Sequence, residues 1–266
     1  MATHFPYDFK QPIKSYALPD QYKEISGVSP LASDDCLAFV QDEAVQIHCI
    51  NLNSGTITDY AKHDDGDSED IAVAGTTAYL LKAGKQPALY EVSNFNSTTP
   101  CYKRYDLALH HDQDPEGLCH DAQRHRLYIA CKRSTKKNDT TRSIYVFDLQ
   151  SMEMNPAPLF NIDNRDCFDN TDGTLNPSGL ALHPQTDDLY IIGSKGEKMI
   201  VCYGLNGEFK QAQRLNEDQF IQPEGIAFLQ SGELVISSEG KKGKNAEILI
   251  FSSSSSNGRQ NYRDFI

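Results

Sequence analysis

Hydrophobic residues in this chain come in short words of four or five, and the words recur in a fixed order. An apolar word follows each of five anchors, at "GVS", "IAVA", "GLCH", "GLALH" and "GIAF". About ten residues later a second word appears: "LAFV" at Leu37, "AYLL" at Ala78, "LYIA" at Leu127, "LYII" at Leu189 and "LVIS" at Leu234. A third follows at "QIHCINL", "ALYEV", "SIYVFDL", "MIVCYGL" and "EILIF". Val, Ile, Leu and Tyr dominate these words and Gly, Asp, Asn and Ser bound them, which is the pattern of strands joined by tight turns; helical periodicity is scarce.

The anchors are Glu24, Glu69, Glu116, Ser178 and Glu224, at intervals of 45, 47, 62 and 46 residues. A fourth strand precedes most of them, in "TITDY", "KRYDLAL" and "QAQRL", and "IKSYAL" at Ile13 to Leu18 has the same character. Four strands per repeat of this length predict an all-β fold, a five-bladed β-propeller of four-stranded antiparallel blades forming one domain over residues 1–266. A six-bladed ring and a two-sheet sandwich are the competing architectures, but a sandwich gives no reason for an anchor at near-constant spacing. "IKSYAL" would be the outer strand of the last blade, but the C-terminal "NYRDFI" competes for that place and the sequence does not decide between them. The long interval carries a predicted insertion loop at 161–176, and the serine run from Ser252 to Ser256 reads as a flexible tip.

In a propeller the first strand of each blade lines the central channel, so residues at the same place in each repeat converge at one mouth. Four carboxylates and a hydroxyl would then share a small space. Two unit charges about 6 Å apart, at an effective dielectric of about 20, repel by roughly 3 kcal/mol, so such a ring raises its own pKa values or captures a cation. Oxygen-only donors in a wide ring suit Ca²⁺ better than Mg²⁺, and the absence of His and Cys from the anchors disfavours zinc. The plainer reading is that Gly allows a tight turn where blades crowd the axis, while Glu accepts backbone N–H groups. Asp64, Asp65, Asp67 and Asp70, in "DDGDSED", thicken the negative field beside Glu69 and read mostly as a solvated loop; neither this run nor the insertion has EF-hand spacing.

Composition narrows the partners. A net charge of -12 disfavours nucleic acid, and the one basic cluster, "KKGK" at Lys241 to Lys244, reads as a solvated turn. A metal ion, and an unknown small molecule or protein at the channel mouth, are the partners expected. The longest charge-free apolar stretch, Ile71 to Leu81, is too short to span a bilayer, so no transmembrane segment is expected in this chain. Seven cysteines without a CxxC pair read as mostly buried thiols and lean towards a reducing compartment. GxSxG, GxGxxG and P-loop motifs are absent. His110, His111, His120 and His183 lie near the third and fourth anchors, where a histidine beside a Lewis-acid metal could act as a general base for lactone or ester hydrolysis.

The words "EISGVS", "GDSEDIAVAG", "DPEGLCHD", "PSGLALHP" and "QPEGIAF" resemble the SdiA-regulated, or YjiK-like, bacterial proteins, which are distantly similar to NHL-repeat propellers. The resemblance covers roughly residues 18 to 240. It implies a five-bladed propeller, calcium binding without an established activity, and metal ligands on Glu24, Glu69, Glu116 and Glu224, with Ser178 standing where an acid would be expected. It also implies an envelope location, against the cysteine content, and leaves the compartment open. The leading expectation is a calcium-binding module that recognises a ligand or protein; the rivals are a metal-dependent hydrolase of the lactonase or esterase type and a purely protein-binding propeller.

Overall fold

A computed structural model describes residues 5–254 except 34, 43, 64–67, 138 and 169–172. Strand β1 (Lys14–Ala17) leads into blade one, β2 (Ile25–Pro30), β3 (Cys36–Gln41), β4 (Ala44–Asn51) and β5 (Ile57–His63). Blade two is β6 (Ser68–Ala74), β7 (Thr77–Lys82), β8 (Ala88–Ser93) and β9 (Cys101–Asp106). Blade three is β10 (Pro115–Asp121), β11 (Arg126–Cys131), β12 (Thr141–Asp148), β13 (Glu153–Met154) and β14 (Phe160–Asp163). Blade four is β15 (Leu175–Leu182), β16 (Asp188–Gly196), β17 (Met199–Gly204) and β18 (Phe209–Arg214). Blade five is β19 (Pro223–Phe228), β20 (Leu234–Ser238) and β21 (Glu247–Phe251). Each blade is an antiparallel meander, and the inner strands pack in cyclic order, β2 on β6, β6 on β10, β10 on β15, β15 on β19 and β19 on β2. The ring is therefore closed, with five blades.

Closure is by the chain's start. β1 pairs with β21, Lys14 opposite Ile250 and Ala17 opposite Glu247, and completes blade five, so "IKSYAL" takes the outer-strand place. Residues 261–266, "NYRDFI", lie outside the described residues. Ahead of β1, the buried rings of Phe5, Tyr7 and Phe9 contact Tyr190, Phe220, Phe228 and Phe251. The serine run is not a free tip where it begins: Ser253 bridges to Tyr7, and the Ser254 N–H donates to the Pro6 carbonyl at 2.7 Å. "KKGK" is a turn, with Lys241 and Lys244 bridging each other.

The insertion also departs from a plain loop. Its first residues form β14, which pairs with β12 because β13 covers only two residues of that strand and leaves Thr141–Ile144 an open edge. A single helical turn, α1 (Asn164–Cys167), follows, capped by the Asp163 carboxylate accepting from the Arg165 N–H.

Apolar side chains fill the wedges between blades. One wedge between blades one and two holds Val40, Ile47, Ile71, Leu80 and Val92, all essentially inaccessible. Inner strands crowd the axis, and side chains bridge them: Ser237 Oγ donates to Ser26 O, Ser29 Oγ accepts from the Val73 N–H, and Asp70 Oδ2 accepts from the Leu118 N–H. Asp70, expected in a solvated run, is wholly buried; its second oxygen accepts from the Ile71 N–H, and burial holds its pKa well above the usual range. Gly27 makes room for it, since a Cβ there would sit 1.9 Å from Asp70 Oδ1. Asp64, Asp65 and Asp67 lie outside the described residues.

Candidate functional site

Inner strands all start at the same end of the channel, and a cavity of about 410 Å³ opens there. Glu24, Glu69, Glu116, Ser178 and Glu224 all line it. Glu24 immediately precedes β2, Glu69, Glu116 and Glu224 are the second residues of β6, β10 and β19, and Ser178 is the fourth of β15. The Ser178 hydroxyl is buried and donates to the Pro223 carbonyl at 2.8 Å, so its proton ties blade four to blade five while its lone pairs remain.

A second tier of charge surrounds the anchors, formed by Asp42, Lys132, Lys195 and Glu239. Antiparallel pairing brings the end of each second strand beside the start of the first, which places Asp42, Lys132 and Glu239 directly after β3, β11 and β20. The sequence does carry a signal for this tier, in the residue that ends each second-strand word. Blade two has Ala83 there, and in blade four β16 runs on, so that Lys195 is reached just before the strand's end. Gln222 completes the wall, its amide N–H donating to the Glu239 carboxylate.

Burial governs the electrostatics. Glu69 is pushed up to about 8 by burial and by the neighbouring Glu116. Burial raises Glu116 to about 7 although Lys132 pulls the other way. Glu224 is raised to about 7 by burial and by Glu239; Glu239 to about 7 by burial, partly offset by the Gln222 bond and reinforced by Asp42 and Glu24. The Lys132 ammonium, itself buried, bonds the Glu116 carboxylate; burial works against its charge, but Glu116 and Glu224 outweigh that and raise its pKa. These groups share protons at neutral pH, and hard oxygen donors of this kind fit a cation such as calcium. Among the described residues, the one trio of His, Cys, Asp or Glu whose ligand atoms all lie within 4.8 Å of one another is elsewhere, at His110, His111 and Asp112. No three carboxylates of the mouth bring ligand atoms that close together, and Lys132 is bonded to Glu116.

Among the described residues no histidine joins them. His110 and His111 are exposed, their rings 4.2 Å apart, on a short turn before β10. His120 lines the opposite end of the channel. His183 is buried beside Phe228, its Nε2 3.2 Å from the Tyr7 hydroxyl. Proton transfer at the acidic mouth would fall to the carboxylates.

A family model described as SdiA-regulated matches residues 2–242. The chain belongs to the SdiA-regulated family. This member has the propeller fold in common with several solved structures. It superimposes on the glutaminyl cyclase of Myxococcus xanthus with a TM-score of 0.62 at 12% identity, covering 91% of this chain and 95% of that one. A structural genomics protein of unknown function from Bacteroides thetaiotaomicron gives 0.58 at 14% identity, over 90% of this chain and 60% of that one. A gluconolactonase from Xanthomonas campestris gives 0.55 at 14% identity, over 90% and 80%. At these identities the likeness is one of fold alone. No curated protein matches the chain in sequence.

Proposed function

We propose that this SdiA-regulated propeller is a binding module whose ligand site is the acidic channel mouth and whose resident cation is calcium. The observation that carries this reading is the convergence of Glu24, Glu69, Glu116 and Glu224, from four blades, in one cavity with Asp42 and Glu239. Raised pKa values near neutrality mark carboxylates that lack sufficient counter-charge, which a divalent cation supplies. Glu24, Glu69, Glu224 and Glu239 are the side chains that would rotate inward to hold it, since no three of them now bring ligand atoms within 4.8 Å of one another, with Ser178 supplying a neutral oxygen and Glu116 already engaged by Lys132. A bound calcium would offset the repulsion and present a Lewis-acidic face to an anionic or carbonyl-bearing ligand entering from solvent.

Calcium added to chelator-treated protein is expected to raise the melting temperature as RT ln(1 + [L]/Kd), and Glu69→Gln and Glu224→Gln to weaken the shift. A melting temperature unmoved by millimolar calcium would reject the ion. Hydrolysis is the second reading, favoured by carboxylates with pKa values of about 7 that can act as general bases. Turnover of a lactone and aryl-ester panel, lost on chelation and in Glu224→Gln, would establish it in place of simple binding.

A further inference from the structure

The far end of the channel has the opposite chemistry. A bowl of about 370 Å³ opens there, walled by the ends of all five inner strands, and among the described residues no Asp, Glu, Lys or Arg lines it. Charged residues make up 23% of the chain, and the acidic mouth takes eight of its lining residues from them. An open concavity without charged side chains, at the end of a channel whose other mouth is lined by them, is a place where a small uncharged ligand can be held.

Its hollow comes from the sequence. Counting along each inner strand from the residue at the axis, the next tier is Val28, Ile71, Leu118, Leu180 and Ile226, and the one after is Ser29, Ala72, Cys119, Ala181 and Ala227. All five members of that second tier are small. They leave open the volume that larger side chains would fill, and the rim above is Pro30, Val73, His120, Leu182 and Phe228. His120 is thus the one polar member of a ring that is apolar in the other four blades. Burial lowers its pKa and so favours the neutral imidazole. A neutral imidazole has one N–H and one bare nitrogen, and the bare nitrogen is an acceptor for a donor in the bowl.

We propose that this bowl is a second binding site, for a small uncharged molecule with an apolar body and one hydrogen-bond donor directed at His120. The volume lies at the lower end of the range for small-molecule pockets, enough for two or three rings and too confined for a helix. The other polar side chains of the wall have partners in the protein: Ser29 Oγ accepts from the Val73 N–H, and the Gln230 amide donates to the Ala32 carbonyl at 3.0 Å. Specificity therefore falls to His120. The site is independent of the acidic mouth and of any cation held there.

N-phenylnaphthylamine, uncharged and carrying one N–H, is the probe, with the hydrocarbon phenylnaphthalene as its donor-free counterpart. Titrated into the full chain, the amine is expected to saturate at one equivalent with enhanced fluorescence and to bind about fivefold to tenfold more tightly than the hydrocarbon, the worth of one hydrogen bond. Val73→Trp, which fills the bowl from its half-buried rim, should weaken both probes at least about tenfold while the melting transition stays cooperative. His120→Phe should keep the hydrocarbon and abolish the preference for the amine. Calcium and Glu224→Gln should change neither affinity. Absence of saturable binding by the native protein, or binding unaffected by Val73→Trp, would overturn the site. Equal affinity of the native protein for the two probes would overturn the role given to His120.

Discussion

Lys132 holds the Glu116 carboxylate inside the acidic mouth, two opposite charges shielded from water where five other acids converge. Removing one member of a buried pair leaves the other uncompensated at about 3–5 kcal/mol. Lys132→Met is therefore expected to lower the melting temperature of calcium-free protein strongly at pH 8, where Glu116 is ionised, and less at pH 5, where it carries a proton. Calcium should restore part of the loss at pH 8 by replacing the missing positive charge. Thermal melts at the two pH values, with and without calcium, measure this.

The mouth also sets the sign of the pH dependence. Glu69 titrates at about 8 and Glu116, Glu224 and Glu239 at about 7 in the folded chain, against an ordinary value of 4.5. Between those limits the folded state holds protons that the unfolded state has released, so stability falls as pH rises. Calcium-free protein should lose resistance to urea between about pH 6.5 and about pH 8, above the range in which the buried His48 and His183 and the half-buried His120, their pKa values lowered from 6.5, oppose the trend, with the slope reduced in Glu69→Gln. A denaturation midpoint that climbs over this window would contradict the assigned burial.

Gly27 has no space for a side chain. A Cβ would lie 1.9 Å from Asp70 Oδ1 and 2.5 Å from Asp70 Cα, so the backbones of blades one and two would have to separate. Gly27→Ala is expected to cost about 3 kcal/mol or more. Adding Asp70→Ala should not rescue it, because the clash with the backbone of β6 remains and the Leu118 N–H loses its acceptor. Urea denaturation of the single and double variants tests both statements.

Thiol chemistry separates the cysteines. Cys49, Cys119, Cys131 and Cys202 are buried, Cys36 and Cys167 are half-buried, and Cys101 is exposed on the outer strand β9. Burial also raises the pKa of the Cys49, Cys131 and Cys202 thiols to about 12, which removes the reactive thiolate. An aromatic disulfide reagent should modify Cys101 first in the native protein, and Cys49, Cys131 and Cys202, which line neither end of the channel, only on unfolding. Early modification of Cys131 would show a ring that opens readily.

Much of this architecture is legible in the chain because the repeat is carried by local patterns. Alternating apolar words and turn residues mark every second and third strand, and the anchors fix the blade count and the mouth at which Glu24, Glu69, Glu116, Ser178 and Glu224 gather. Features that depend on neighbours across the ring are less legible. Asp70 lies in an acidic run that reads as solvated, yet it occupies the place that glycine takes in "PEGL" and "PEGI", and only the adjoining blade reveals the space its carboxylate fills. Lys132 follows an ordinary strand word, and its place among the acids is set by the antiparallel return of β11 beside β10. The insertion has the Asp, Asn and Gly content of a loop, but the open edge of β12 recruits its first residues as a strand.

β1 completes blade five by pairing with β21. During synthesis the segment at Lys14–Ala17 leaves the ribosome before residues 247–251, and it waits until these have been translated before its partner exists. Blades one to four can form in order while that early segment and the aromatic residues ahead of it stay uncovered. Until then β1 lacks the β21 edge it will pair with, and a neighbouring nascent chain on the same messenger could offer a competing one.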